Sequence, residues 1–515
     1  MQRKNPLNER CSIRCKAARQ RKCDNKRNMH RPIIRVIVFI CAAALLAAQD
    51  PSITVDTAMT LKIRAEAMSD ASQVSPVFDT LTIDIGPRLT NSPAYYRAVD
   101  FVADKLKSWG LDTHREPWKF GRGWTLNQLT LEMVEPRFMP LIGYAEGWSP
   151  STAGELAAAP IYLGDKTPAQ IDALKPALKG AIVMPQPPQT YYVRQDRPQP
   201  TSPGVTSPES LGSPPDFRPS PEAQRLIALA RTAGAGVILR PNVLTDGTLY
   251  VTGNDQGAAG VPSIILSAEQ YNMIAGMIEH HIPVKLRVAV KATYQEADTN
   301  AYNVIAEIPG TDPALKDQVV MLGAHVDSWH TGVGATDNAD GVTTMMEAMR
   351  ILKAVGAKPR RTIRVAIWGV EEQGLLGSKA WVAQHLVGDA NRQARENFAV
   401  YFNIDNGTGP IYGFAMENNE GAKPLFDAWL AQFRDIGARR NVNMKITSTD
   451  HMSFIAAGVP GFNPFQSYEN YDVRTHHTNM DTRDHVNPED IRQAAIVMAS
   501  FAWQSAMVDD RFPRK

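Results

Sequence analysis

The stretch from Met321 to Lys379, reading MLGAHVDSWHTGVGATDNADG and, one helix-like segment later, RTIRVAIWGVEEQGLLGSK, limits what this chain can fold into. The apolar run Val319–Leu322 leads into His325 and Asp327, and Ile363–Trp368 leads into Glu371 and Glu372. A third run, Val400–Ile404, leads into Asp405. In an open α/β sheet the functional crevice lies outside the carboxyl ends of the strands, so that architecture can gather all three clusters at one place. The surrounding pattern agrees. Asn303–Ile308, Gln318–Leu322, Arg361–Trp368 and Phe398–Ile404 read as strands, and Gly341–Leu352, Gly374–His385, Lys423–Gly437 and Pro488–Met507 as helices. This alternation predicts an α/β sheet with helices on both faces.

The residue types in these clusters suit metal-assisted hydrolysis. His325 and Asp327 are two apart, so they share one side of an extended segment. A ligating histidine needs a partner for its other ring nitrogen, and a nearby carboxylate supplies it. Asp337 sits among small residues in ATDNADG, and a carboxylate so placed can bridge two cations about 3.5–4 Å apart. The plainer alternative is that Asp337 or Asp340 caps the following helix. Glu371 and Glu372 end an apolar strand, where uncompensated charge is costly. One of the pair can bind metal while the other takes a proton from an activated water. Downstream, THHTNMDT offers His476 and His477, and STDHMSF offers Asp450 and His451 as either support for the site or an ordinary hydrogen-bond network. HExxH, GxSxG, P-loop and GxGxxG signatures are absent from the sequence.

Length and charge bound the rest. At 515 residues the chain exceeds the ~250–300 at which single cores usually stop growing, so more than one lobe is expected. Residues 1–35 carry 12 Lys/Arg against two acids, leaving 43 basic and 51 acidic side chains in the remainder. The basic balance therefore belongs to the leader and gives no support to nucleic-acid binding. The apolar run 36–48 follows Arg31 and Arg35 and is short for a membrane span, so residues 1–48 read as a leader with a secretory signal. A retained membrane anchor is the lesser alternative, and Met29 offers a second start. All four cysteines lie within residues 11–41, so the rest of the chain has no thiol nucleophile and suits export to the periplasm or medium. Between residues 126 and 293 short strand-like and helix-like runs alternate, enough for a smaller α/β lobe, and 185–221 reads as an extended, mobile, proline-rich loop.

With these residues in view, the sequence resembles the co-catalytic zinc exopeptidases that include bacterial leucyl aminopeptidase, glutamate carboxypeptidase II and carboxypeptidase Q-like members. HVDSW, GATDNADG, RTIRVAIWGVEEQGLLGS, DNGTG and HHTNMDT carry the likeness, and GPRLTNS at 86–92 resembles the family's early loop. The resemblance implies a mixed central sheet formed by residues 50–127 and 294–515, with an inserted protease-associated domain at 128–293. It implies two Zn²⁺ per chain, His325 and Asp405 on one, Glu372 and His477 on the other, and Asp337 bridging them. His477 is preferred to His476 because it immediately precedes the threonine. Glu371 would be general base and acid, acting on a water that bridges the metals, and Asp327 would orient His325. Some relatives carry a tyrosine where this chain has His476, which leaves His476, Tyr468 and Tyr471 as candidates for oxyanion stabilisation. The implied substrate is a short peptide, cleaved as by an aminopeptidase or dipeptidase. A glutaminyl-peptide cyclotransferase and a non-catalytic receptor-like relative are the alternatives on the same fold. The oligomeric state, a homodimer included, stays open.

Overall fold

The computed structural model describes residues 53–200 and 214–514. The expected leader at 1–48 lies outside them. Among the described residues no helix is long and apolar enough to cross a membrane.

The centre of the fold is a six-stranded mixed sheet built from β1 (Asp112–Lys119), β2 (Asn300–Ile308), β3 (Val319–His325), β4 (Thr362–Trp368), β5 (Phe398–Asn403) and β6 (Gly461–Phe462). Its order is β1-β2-β4-β3-β5-β6, with β1, β2 and β4 paired antiparallel and β4, β3, β5 and β6 parallel. Strands buried on both faces need apolar side chains on both, which is why β3, β4 and β5 are near-continuous hydrophobic runs. Val320, Leu322 and Ala324 of β3 point into the core under α1 (Pro93–Ser108), α2 (Asp340–Ala354) and α5 (Pro488–Met507). Met321 points the other way, toward Trp381 and Phe454 of α3 (Leu376–His385) and α4 (His451–Ala456). Helices thus cover both faces.

The helix ends follow local chemistry. Ser92 accepts the Tyr95 N–H and Pro93 opens α1; Asn487 accepts the Glu489 N–H and Pro488 opens α5. Beneath α5, fully buried Phe426 meets the rings of Phe402, Phe414, Trp429, Phe462, Phe501 and Phe512. Phe426→Ala is expected to cost about 3–5 kcal/mol, read as a lower urea midpoint at unchanged slope.

Between residues 123 and 295 lie two more sheets. One has four strands in the order Met139–Pro140, Gly123–Glu135, Lys285–Gln295, Leu156–Ala158. The other has five, in the order Gly143–Ala145, Ser263–Leu266, Val237–Pro241, Ile182–Met184, Ile161–Tyr162. They share a core that includes Trp124, Met133, Val237, Leu266 and Leu286. Several strands have no counterpart in the sequence reading, β1, β6 and Gly123–Glu135 among them. β1 is an edge strand whose Asp112, Arg115, Glu116 and Lys119 hide the period of two.

Residues 185–200, the first part of the proline-rich stretch, hold no helix or strand and are tied down. Asp196 accepts the N–H groups of Asn470 and Val473 at 2.7 and 3.1 Å, and Gln199 accepts that of Tyr468 at 2.9 Å. Arg197 pairs with Asp472 at 2.9 Å.

Candidate metal centre and active site

β3 has β4 on one side and β5 on the other, so the chain reverses its direction of travel across the sheet at this point. Crevices in open sheets form at such switch points. His325 ends β3, Glu371 and Glu372 follow β4, and Asp405 follows β5. The turns that aim these side chains are strained. Val370 (φ 64°), Asn406 (φ 77°) and His477 (φ 59°) all occupy the left-handed region, where a β-branched residue such as Val370 is an outlier. Each such residue costs on the order of 1–3 kcal/mol and persists where its surroundings over-determine it.

Asp337 lies at the centre. Its Oδ1 is 3.2 Å from Nε2 of His325, and its Oδ2 is 3.2 Å from Nε2 of His477. Glu372 Oε2 is 2.9 Å from His477 Nε2, and Asp405 Oδ2 is 3.8 Å from His325 Nε2. Glu371 Oε2 lies 3.9 Å from His325 Nε2. All five proposed ligands and the proposed base therefore meet in one cluster, split into a His325–Asp405 side and a His477–Glu372 side by the two oxygens of Asp337. His476 is close as well, with Nε2 4.0 Å from Asp337 Oδ2. Two groups, His325/Glu371/Asp405 and Asp337/His476/His477, each bring their donor atoms within 4.8 Å of one another.

The cluster fits cations. His325 Nε2 and both carboxylate oxygens of Glu372 are buried without a hydrogen-bond partner, although His325 Nε2 faces Asp337 and Glu372 Oε2 faces His477. Such atoms have lone pairs to give. Imidazole and carboxylate ligands about 2.0–2.2 Å from a tetrahedral ion sit roughly 3.3–3.5 Å apart, close to the separations around Asp337. Burial, with the neighbouring charges of Asp405, Asp450 and Glu372 behind it, holds Glu371 well above the usual carboxylate range against the pull of His325. Burial and Asp337 push Glu372 up to about 7. Carboxylates crowded in this way repel one another unless positive charge is supplied between them.

Surrounding residues hold the cluster rigid. His325 Nδ1 is 3.1 Å from the main-chain carbonyl of Asp327 and 3.6 Å from its carboxylate. The Asp327 carboxylate instead accepts the N–H groups of Glu371 and Glu372 at 3.1 and 3.2 Å. So Asp327 fixes His325 mainly through its backbone and the Glu-Glu turn through its side chain. Asp481 accepts the N–H and hydroxyl of Thr336 at 2.8 and 3.0 Å and the Asp337 N–H at 3.2 Å, fixing the central carboxylate from behind. Gly341, in the first turn of α2, gives its N–H to Asn338 Oδ1 and Asp340 Oδ1, so Asp337 is spared from capping. Fully buried Arg88 of the GPRLTNS loop donates to the carbonyls of Leu81, Gly86, Val326, Val333 and Gly334. That loop underpins the site. Asp450 is buried, its carboxyl pushed up to about 7 by burial and both oxygens unpartnered, and His451 Nδ1 meets Thr449 Oγ1 at 2.5 Å.

The centre opens into a cleft of about 1070 Å³ lined at one end by Asp337, Glu371, Glu372, Asp405, His476 and His477. Phe217, Arg218, Arg240 and Tyr250 line the same cleft. Of the three oxyanion candidates, His476 and Tyr471 line the cleft and stack on each other at 5.1 Å. Tyr468 does not line it. Its ring is buried with the Arg197 guanidinium 4.0 Å from its centroid. Arg197 also donates to Asn406 Oδ1 at 2.8 Å, beside Asp405. Sequence reasoning gave no role to Asp481, Arg197 or Tyr250. Only Asp481 carried a signal, as the acid of the HHTNMDT motif itself.

Histidines and carboxylates gathered at the carboxyl edge of an α/β sheet, beneath a peptide-sized cleft, are the mark of metal-dependent hydrolases. Residues 303–502 match the family described as Peptidase family M28. Carboxypeptidase Q of Bos taurus is 27% identical over 433 residues, covering 84% of each chain. The human carboxypeptidase Q is 26% identical over 437 residues, again 84% of each. The crystal structure of a peptidase M28 precursor from Shewanella amazonensis aligns with a TM-score of 0.68 at 26% identity, covering 89% of this chain and 98% of that one. A zinc aminopeptidase from Bacillus subtilis shares the fold with a TM-score of 0.57 at 19% identity, covering 86% and 97%. The mixed α/β architecture expected from the sequence is thus borne out.

Proposed function

We propose that the protein is a zinc-dependent exopeptidase acting on short peptides, as an aminopeptidase or dipeptidase, with two zinc ions per chain. The observation that carries this reading is Asp337, whose two oxygens each face a different histidine at 3.2 Å, each histidine having a further carboxylate beside it. In it, His325 and Asp405 would hold one ion, Glu372 and His477 the other, and Asp337 would serve both. The ions, when bound, would supply Lewis-acid polarisation of the scissile carbonyl and acidification of a water. Glu371 is the group that moves the proton. It carries no metal in this assignment, lines the cleft, and sits where burial makes its carboxylate basic enough to accept a proton and later return it to the leaving amine. The Asp327 carboxylate keeps Glu371 aimed by gripping its N–H. Relatives named as a carboxypeptidase and an aminopeptidase support exopeptidase action on peptides at either end. Residues 128–293 are proposed to be an inserted lobe that walls the cleft.

The test is a panel of dipeptides, end-blocked dipeptides and aminoacyl-anilides assayed with the zinc-loaded protein. Hydrolysis of peptides with a free terminus and none of doubly blocked ones is expected; cyclisation of N-terminal glutamine in place of hydrolysis would overturn the reading. Zinc should also stabilise the stripped protein. At a concentration about 1,000 times its dissociation constant, a ligand that binds only the folded state adds about 4 kcal/mol, so a rise in the melting temperature on zinc addition is expected.

A further inference from the structure

His477 is the proposed ligand with the least support from its own side of the molecule. It comes from a loop, its side chain is 18% exposed, and its backbone is in the left-handed region. What fixes it is the segment 247–251, which runs antiparallel beside 477–479. Tyr250 bridges to Thr478, the Val251 N–H donates to the His477 carbonyl at 3.0 Å, and the Leu249 N–H donates to Asn479 Oδ1 at 2.7 Å. Asn479 returns its own N–H to the Leu249 carbonyl at 3.3 Å, and Arg474 reaches Thr248 Oγ1 at 2.7 Å. The Tyr250 hydroxyl then lies 3.2 Å from Nδ1 of His477.

We infer that Tyr250 is a positioning residue for the metal centre, contributed by the lobe outside the M28 region. It fixes the tautomer and ring plane of His477. Nε2 faces Asp337 and Glu372 and must present a lone pair to a metal, so Nδ1 carries the proton and donates it to the tyrosine oxygen. The phenol ring is itself held, stacked on Phe217 at 4.1 Å with planes 9° apart, so the hydroxyl has little freedom to swing away. Phe217 and Tyr250 both line the cleft, which makes one aromatic pair the wall of the substrate space and the outer support of a ligand. This inference rests on the metal-site reading above.

The experiment is a competition for zinc between a chromogenic chelator and the metal-free full-length protein, for wild type, Tyr250→Phe and Phe217→Leu. Tyr250→Phe keeps the ring stack and loses only the hydroxyl. Its metal-free form is expected to melt with the wild type, while affinity for one zinc falls about 10–100-fold, the usual cost of losing a ligand's hydrogen-bond partner. Cobalt-substituted Tyr250→Phe is expected to show an altered visible spectrum. Phe217→Leu keeps the hydroxyl and loosens only the ring that carries it, so its zinc affinity is expected to fall less than that of Tyr250→Phe. Wild-type affinity and an unchanged cobalt spectrum in Tyr250→Phe would overturn the role of Tyr250 while leaving the metal site standing. So would an equal loss in Phe217→Leu, which would trace the effect to packing. Wild-type protein that takes up no zinc would overturn the metal-site reading and this inference with it.

Discussion

Glu371→Gln is expected to leave fold and zinc content intact and to lower kcat by about 10²-fold or more, the usual yield of a positioned general base. The substitution is nearly isosteric, and the Glu371 N–H grip by Asp327 is untouched, so the Glu-Glu turn keeps its shape. What disappears is the ability to take and return a proton in a site where burial and the charges of Asp405, Asp450 and Glu372 keep that group basic. Gln also removes one negative charge from a crowd of carboxylates, so the metal-free protein should not lose stability. Near-normal turnover in this variant would remove Glu371 from the chemistry. Loss of zinc along with turnover would make it a ligand, in keeping with its place beside His325 and Asp405.

Asp337→Ala is expected to weaken both zinc ions together. The two oxygens of this carboxylate face His325 on one side and His477 on the other, so each proposed ion loses a direct ligand. The fall in each affinity should exceed the roughly 10–100-fold typical of losing a ligand's own hydrogen-bond partner. His477→Ala is the contrast, since it touches only the Glu372 side and should lower the affinity of one ion. Zinc per chain by elemental analysis after dialysis checks both. Retention of a full metal complement by Asp337→Ala would end its role as the bridge.

Much of the centre was legible in the sequence because the chemistry that builds it is local. Strands buried on both faces must be apolar, and three such strands ending in His325, Glu371 and Asp405 announce a common crevice. The four inner strands β2–β5 followed for the same reason, and α5 was read from its opening Pro488. Other parts gave weaker signals. β1 carries charged residues because it is an edge, which erases the alternation a strand should show. The proline-rich stretch has the composition of a loose loop, yet Asp196, Arg197 and Gln199 bind it to 467–473 across more than 260 residues of chain. Tyr250 stands in a segment with no motif, and its meaning depends on a contact 227 residues away. Asp327 was read as the group that orients His325, whereas its carboxylate accepts the N–H groups of the turn after the neighbouring strand. Tertiary contacts of this kind have no local signature.

The most direct test is a zinc titration of the chelator-stripped protein, following hydrolysis of a dipeptide with both termini free. Activity is expected to be lost on stripping, to return as zinc is added, and to reach its plateau at two equivalents per chain. Hydrolysis that survives stripping, or a plateau at one equivalent, would contradict the two-metal exopeptidase proposed for this chain.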